Sequence, residues 1–234
     1  MLRNKLLATL LLSLPLCAVA NPLCTYVASY KAYRRGSELG HASQQLIKLD
    51  NEKYKLIYQS HASIFIFSDH RKETSLFDVN DNQYIPLHYQ YERTGTGSDH
   101  ELNLTFDATN KQLVFAHKPV QPWENEQDNQ LYLFQIKDAL RAGKTDFVVD
   151  LISYKGNKEQ YHFQVEKTEK LKLPYGQLEA IKIARIRENS SRETYFWFAP
   201  SLDMLMVRLQ QIKDGDEQAD IRLQSVEFNQ SCQP

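Results

Sequence analysis

The sequence predicts a mainly β protein: a strongly curved antiparallel meander, or incomplete β-barrel, of about a dozen strands with one amphipathic helix. Three observations predict it. Runs rich in Tyr, Phe, Ile, Val and Thr alternate with short polar breaks along most of the 234 residues. The breaks carry turn residues such as Asp50-Asn51, Asn80-Asp81-Asn82, Gly156-Asn157 and Asp214-Gly215. One segment repeats its apolar residues at helical spacing instead.

The N-terminus comes first. Arg3 and Lys5 precede the apolar run Leu6 to Leu16, and Ala18-Val19-Ala20 is a small-x-small cleavage site. Residues 1–20 therefore read as a signal peptide cleaved after Ala20, and 21–234 as a single exported, periplasmic domain. The run is too short to span a bilayer, and no other segment approaches that length, so the mature chain is expected to lack a transmembrane segment. Leu14 is too bulky for a lipidation motif ahead of Cys17. Cleavage leaves two cysteines, Cys24 and Cys232, at opposite ends. An even count in an oxidising compartment predicts a disulfide between them. In the chain-entropy account a loop this long stabilises by about 4–5 kcal/mol.

The strand-like runs follow in order: Tyr26–Tyr33, Tyr54–Phe67, Glu73–Val79, Tyr84–Tyr91, Leu102–Phe106 and Gln112–His117. After the helix come Phe147–Tyr154, Gln160–Lys167, Leu178–Arg187, Glu193–Phe198, Met204–Ile212 and Asp220–Phe228. A sheet this wide curls or splits into two layers. In Ser63–Phe67 and in Tyr195-Phe196-Trp197-Phe198 both faces are apolar, which demands cover on both sides. Between the halves, Leu133, Ile136 and Leu140 form a helical stripe, widened by Tyr132 and Ala139. Asp128 or Asn129 can cap its start and Gly143 its end, so a helix is predicted over about 129–142, packed against or plugging the sheet. Lys118–Gln127, with Pro119 and Pro122, reads as an extended connection.

Composition excludes some functions. The full chain has 28 basic and 29 acidic residues, and losing Arg3 and Lys5 with the signal leaves a net charge of −3. No nucleic-acid partner is expected.

Motifs for chemistry are scarce. There is no GxSxG, P-loop or GxGxxG, so no catalytic residue and no enzymatic activity are expected. Seven histidines, at 41, 61, 70, 88, 100, 117 and 162, form no His-x-His or HExxH pair, so no metal site and no cofactor are predicted. His61 and His70 have the spacing to face each other across a hairpin, but the set reads as scattered strand histidines. Ser68-Asp69-His70 and Ser98-Asp99-His100 read as turns, since neighbouring strand side chains diverge. No carboxylate lies in an apolar run that would raise its pKa. Arg185, Arg187, Arg192 and Arg208 read as cross-strand partners of Glu188 and Glu193, with an anionic head group as the alternative. Tyr195, Phe196, Trp197, Phe198, Met204, Met206 and Arg208 are the candidate lining of a ligand cavity, against ordinary core packing.

A family likeness runs through most of the mature chain. Its carriers are Tyr30-x-Ala32 with Gly40, Pro86-Leu87-His88-Tyr89 and Leu140-Arg141-Ala142-Gly143. They continue with Pro174-Tyr175-Gly176-Gln177-Leu178-Glu179-Ala180, Trp197-Phe198-Ala199-Pro200 and Leu205-Met206-Val207-Arg208. The pattern resembles the domain-of-unknown-function family numbered 3108, exported bacterial β-rich proteins, and departs from it where Met206 replaces an expected Pro. The resemblance implies export and a curved-sheet fold, and carries over no catalytic residue. The expectation is a non-enzymatic periplasmic domain that binds a lipid-like or glycan ligand in a curved sheet. The alternative is an envelope module docking a protein partner through a sheet edge.

Overall fold

A computed structural model describes residues 23–64 and 67–229. Residues 1–20, expected to be a signal peptide, and Cys232 lie outside the described residues. The strands are β1 (Tyr26–Arg34), β2 (Ser37–Lys48), β3 (Tyr54–Ile64), β4 (Phe67–Asn80), β5 (Gln83–Gly95), β6 (His100–Asp107), β7 (Gln112–Phe115), β8 (Gln121–Pro122) and β9 (Gln127–Asp128). Helix α1 (Tyr132–Arg141) follows. Then come β10 (Asp146–Ile152), β11 (Lys158–Leu173), β12 (Gly176–Ile186), β13 (Arg192–Ala199), β14 (Leu205–Lys213) and β15 (Asp216–Phe228).

All fifteen described strands form one sheet, in the order β8-β7-β6-β5-β4-β3-β2-β1-β15-β14-β13-β12-β11-β10-β9. The chain starts in the middle, meanders to one edge, returns from the other and closes on itself where β1 pairs with β15. Every pairing among them is antiparallel except β9 with β10. The two edges, β8 and β9, are neighbours in sequence. Five peptide units from Pro122 to Gln127 reach at most about 18 Å, so the sheet must roll until its edges nearly meet. Side chains complete what hydrogen bonds do not: Ile152 of β10 packs in the cluster of Tyr89, Leu104 and Leu113 from the opposite arm. The incomplete barrel predicted from the sequence is what forms.

The strand count exceeds the dozen expected. Ser37–Lys48 forms a strand that the sequence reading does not include, and the connection Lys118–Gln127 contributes to two two-residue strands. The run Tyr54–Phe67 is not one strand. β3 ends at Ile64 and β4 begins at Phe67, which pairs with Ile64. Phe67 is 59% exposed, so the two-sided burial expected for Ser63–Phe67 is not what its hairpin position provides. The turns follow the sequence where backbone geometry is demanding. Asp81-Asn82 and Asp214-Gly215 all have positive φ, as two-residue primed hairpin turns require.

Helix α1 starts three residues later than predicted. Its stripe is as predicted: Ile136 is fully buried, with Leu133 and Leu140 packed on Phe147, Phe163 and Phe196. Phe134, on another face, joins Tyr26, Leu46 and Phe77 in a second cluster. The helix therefore plugs the rolled sheet and touches both arms. Gly143, at φ 71°, ends it, its N–H donating to Leu140 O at 3.0 Å.

Strand β13 is covered on both faces, as its four aromatics demand. Phe196 and Phe198 pack in the cluster that holds the helix, while Trp197 packs with Leu171, Ala180 and Leu223 on the other side. That second cover is the tip of the β11–β12 hairpin, held to β15 by Tyr175 N–H donating to Leu223 O at 3.1 Å.

Candidate functional site

Two polar constellations stand out among the described residues, one under the plug and one on the outer face. The inner one gathers around Asp128 and Glu73. Asp128 Oδ1 accepts from the Ser75 hydroxyl at 2.8 Å and from the backbone N–H of Gln130 and Leu131 at 2.8 and 2.9 Å. This carboxylate braces the turn that precedes α1 rather than the helix itself, whose N-cap, Leu131, has no side-chain hydrogen bond, so the helix cap expected from Asp128 or Asn129 does not form. Its Oδ2 is buried without a hydrogen-bond partner. Glu73 Oε2 accepts from Tyr89 Oη at 2.5 Å and Asn129 Nδ2 at 2.8 Å. Burial pushes the Asp128 carboxyl up to about 6, against the pull of its three donors, and nearby Glu73 adds to the rise. Burial raises Glu73 as well, opposed by its donors. The expectation of no buried carboxylate with a raised pKa therefore fails. Ser75 and Glu73 face inward on a strand of otherwise ordinary alternation, and only the plug seals them.

These contacts make a latch. Gln130 extends it along the same arm toward the middle of the sheet: Gln44 Nε2 donates to Gln130 Oε1 at 3.4 Å, and Tyr26 Oη donates to Gln44 Oε1 at 2.8 Å. Gln127 Nε2 donates to Tyr84 O at 3.0 Å, covering a part of β5 that β6 leaves unpaired. Lys137 is also buried; burial lowers its ammonium to about 8, beside the rings of Phe134 and Tyr26 at 4.9 and 5.4 Å.

The outer constellation follows from period-two geometry. Ala42, Gln44 and Leu46 face the core on β2, Tyr54 and Leu56 on β3, Glu73, Ser75 and Phe77 on β4, and Tyr89 and Tyr91 on β5. Their neighbours His41, His61, His70 and Thr94 must face outward. Register then aligns these four in one row, with His41 opposite His61, His61 opposite His70 and His70 opposite Thr94. His61 Nδ1 and His70 Nδ1 lie 2.7 Å apart. The His41 ring stacks on that of His61 at 5.5 Å and 8°. The row lines a cleft of about 300 Å³ that also takes in Ser43, Gln59, Lys72 and Glu92. Glycine permits the close strand approach beside it. A Cβ on Gly40 would meet His61 O at 1.9 Å, and one on Gly95, at φ 126°, would meet Ser68 O at 2.3 Å. Among the described residues no group of three or more His, Cys, Asp or Glu side chains is arranged to hold a metal ion.

The sequence signal for the His61–His70 pair is the hairpin spacing. His41 cannot be placed that way, because the sequence reading lacks β2 itself. Ser68-Asp69-His70 is not a turn but lies within β4.

The predicted lining residues are placed otherwise than in one cavity. Phe196, Phe198 and Met206 are packed in the helix cluster. Trp197 is 2% exposed and donates its indole N–H to Glu169 Oε1 at 2.9 Å. Tyr195 bonds to Glu193 and lies under Lys182 Nζ, 3.8 Å from the ring centroid. Met204 is not on the strand with Met206; it precedes β14 at φ 54°. Arg208 grips Asp220 through two N–H groups at 2.8 and 2.7 Å and lies over Trp197. Arg208 and Arg185 pair with Asp220 and Glu159 rather than with Glu188 and Glu193, because the register with β13 sets Arg208 opposite Trp197 and ends at Ala184, one residue short of Arg185. Cys24 is half-buried next to the first strand, and Asn229 N–H donates to Thr25 O at 3.0 Å, so residues 25 and 229 lie side by side. The predicted partner Cys232 lies beyond the described residues.

No helix among the described residues is long and apolar enough to cross a membrane. The model of a family described as a protein of unknown function, DUF3108, matches residues 25–222. No curated protein matches the sequence. Among solved structures, the chain is similar to a β-barrel-like protein of the domain-of-unknown-function family DUF1849 from Brucella abortus. That likeness has a TM-score of 0.68 at 10% identity, over 90% of this chain and all of the other, and establishes the shared fold. A candidate lipoprotein from Parabacteroides distasonis, at 12% identity over 88% and 96% of the two chains, gives a TM-score of 0.35. A candidate exported protein with a YmcC-like fold from Bacteroides fragilis, at 11% identity over 86% and 95%, also gives 0.35.

Proposed function

The chain belongs to the DUF3108 family of proteins of unknown function, and from that premise we propose a non-catalytic, exported binding module. Its ligand site is the polar cleft on the outer face of β2–β5, and its ligand is a small polar or ionic solute. The observation that carries this is the contrast between the two faces. Inside, α1 and the aromatic side chains fill the space an apolar ligand would occupy. Outside, four strands converge polar side chains on an open cleft. A lipid in the aromatic interior, one of the ligands expected from the sequence, would have to displace the plug and its hydrogen bonds. Glu73 and Asp128, the convergent carboxylates, are 6% and 0% exposed, which supports a structural rather than a catalytic role. Docking through a sheet edge draws little support, since each edge strand is two residues long.

Native mass spectrometry on protein isolated from its own host's envelope tests the reading, with Thr94→Trp as the variant that fills the cleft. A small adduct present in wild type and lost in the variant supports it. A lipid adduct, or one indifferent to the substitution, overturns it.

A further inference from the structure

We propose that the end of the rolled sheet where β12 hands over to β13 binds a phosphate group, held by Arg185, Arg187 and Arg192. The site lies on the arm opposite the outer cleft and goes beyond the function proposed above. Arg185 shares the inner face of β12 with Ile183, which packs on the plug. Its guanidinium lies over the Tyr161 ring, 3.1 Å from the centroid, and stacking of this kind fixes the plane of the fork. Arg187 follows just past the strand, and its Nη1 donates to the carbonyl of Arg192 at 3.3 Å. The hairpin thus brings all three residues to one corner.

Their charge is not balanced. Glu159 stands 3.7 Å from Arg185, and among the described residues no carboxylate comes within ion-pair distance of Arg187 or Arg192. Arginines elsewhere are matched: Arg71 and Arg93 with Asp69, Arg141 with Asp138 and Asp203, Arg208 and Arg222 with Asp220. Glu193, an expected partner, takes the Tyr195 hydroxyl instead. Burial and the neighbouring charges of Arg185 and Arg192 pull the Arg187 guanidinium down to about 10, with Tyr161 and Tyr132 opposing. Two donor atoms are buried there without a partner, Arg185 Nε and Thr194 Oγ1. Thr194 stands one step past the last paired residues of the two strands, Ala184 and Tyr195. A bound anion cancels the repulsion and takes up the spare donors. Phosphate suits the corner better than carboxylate, because its three acceptor oxygens and near-double charge serve more than one guanidinium fork.

The experiment is calorimetric titration of the full-length mature protein with sodium phosphate at fixed ionic strength, in a buffer free of other oxyanions. Saturable binding is expected, with a phosphate-dependent rise in melting temperature. Arg187→Gln should weaken it about tenfold or more. Arg187→Lys should weaken it less, and Lys172→Gln, which removes an equal charge from an exposed position, should leave it unchanged. Without phosphate, Arg187→Gln should melt no lower than wild type, because it relieves repulsion. A lower melting temperature with phosphate binding intact would make Arg187 purely structural and overturn the proposal. Should the variant fail to fold, phosphate should still protect Arg187 and Arg192 of the wild type from phenylglyoxal while Arg35 reacts as before. Flotation with phosphatidic acid vesicles separates the sources of the group. Flotation that needs Arg187 and that inorganic phosphate competes away assigns a lipid headgroup; binding in solution without flotation assigns a soluble phosphate compound. Neither binding nor flotation, or binding indifferent to Arg187→Gln, overturns the site. Thr94→Trp should leave phosphate binding unchanged, so an adduct lost with Arg187→Gln and one lost with Thr94→Trp report different sites.

Discussion

Replacing Asp128 with Asn should tilt the stability curve of this protein against pH. Asp128 is fully buried, and its carboxyl is raised from the usual 3.8 to about 6. The folded chain therefore keeps this proton over a window in which the unfolded chain has released it. In that window the unfolded state binds fewer protons, so wild-type stability falls as pH rises from below 3.8 to about 6, then levels off. The difference of roughly two pKa units corresponds to about 3 kcal/mol. In Asp128→Asn the side-chain carbonyl would keep the acceptor for Ser75, Gln130 and Leu131 and would not ionise. The new amide nitrogen would take the place of the unpartnered Oδ2, at a cost present at every pH. That constant cost cancels when the variant–wild-type difference is compared at two pH values. Between about pH 4 and about pH 7.5 the difference should move in the variant's favour by most of those ~3 kcal/mol. For a chain of this length that is about 6–12 °C of relative melting temperature. Glu73 is raised in the same direction and remains in both proteins. Urea unfolding at the two pH values measures the difference directly. Parallel curves for the two proteins would show that Asp128 is not held protonated by the plug, and the latch would lose its electrostatic basis.

Three further outcomes are expected. Ile136→Ala removes the centre of the buried helical stripe and should cost about 2–5 kcal/mol, lowering the melting temperature by about 4–20 °C; an unchanged midpoint would mean the helix is not core. Trp197→Ala should cost about 3–5 kcal/mol, since it empties a covered face and frees Glu169 and Arg208; with Trp123→Phe in the background, wild-type emission should be that of a buried indole. Non-reducing peptide mapping should recover Cys24 linked to Cys232; both thiols freely alkylated in native protein would refute the bridge.

Much of the architecture was legible because it is local. Alternation in Tyr26–Tyr33 or Tyr84–Tyr91 marks a strand wherever it ends up, and Leu133, Ile136 and Leu140 mark a helix by spacing alone. Turn chemistry at Asp81-Asn82 and Asp214-Gly215 needs only the backbone of those residues. Four consecutive aromatics at 195–198 require two covered faces before any neighbour is known. Where the local signal is weak, the reading fails. Ser37–Lys48 carries Gln44 toward the core while His41, Ser43 and Gln45 stand on the other face, so polar residues on both faces blur its alternation.

The sequence by itself determined the β class, the amphipathic helix, the curvature and the absence of familiar catalytic motifs, since each is written in the spacing of neighbouring residues. The tertiary structure decided what those elements enclose. Whether Glu73 and Asp128 are solvated or buried depends on a plug that joins residues more than fifty positions apart. Whether three histidines scatter or align depends on the register of β2, β3 and β4 together. A slip of one residue in either pairing would turn one strand's histidine to the opposite face, because side-chain direction alternates with every step along a strand.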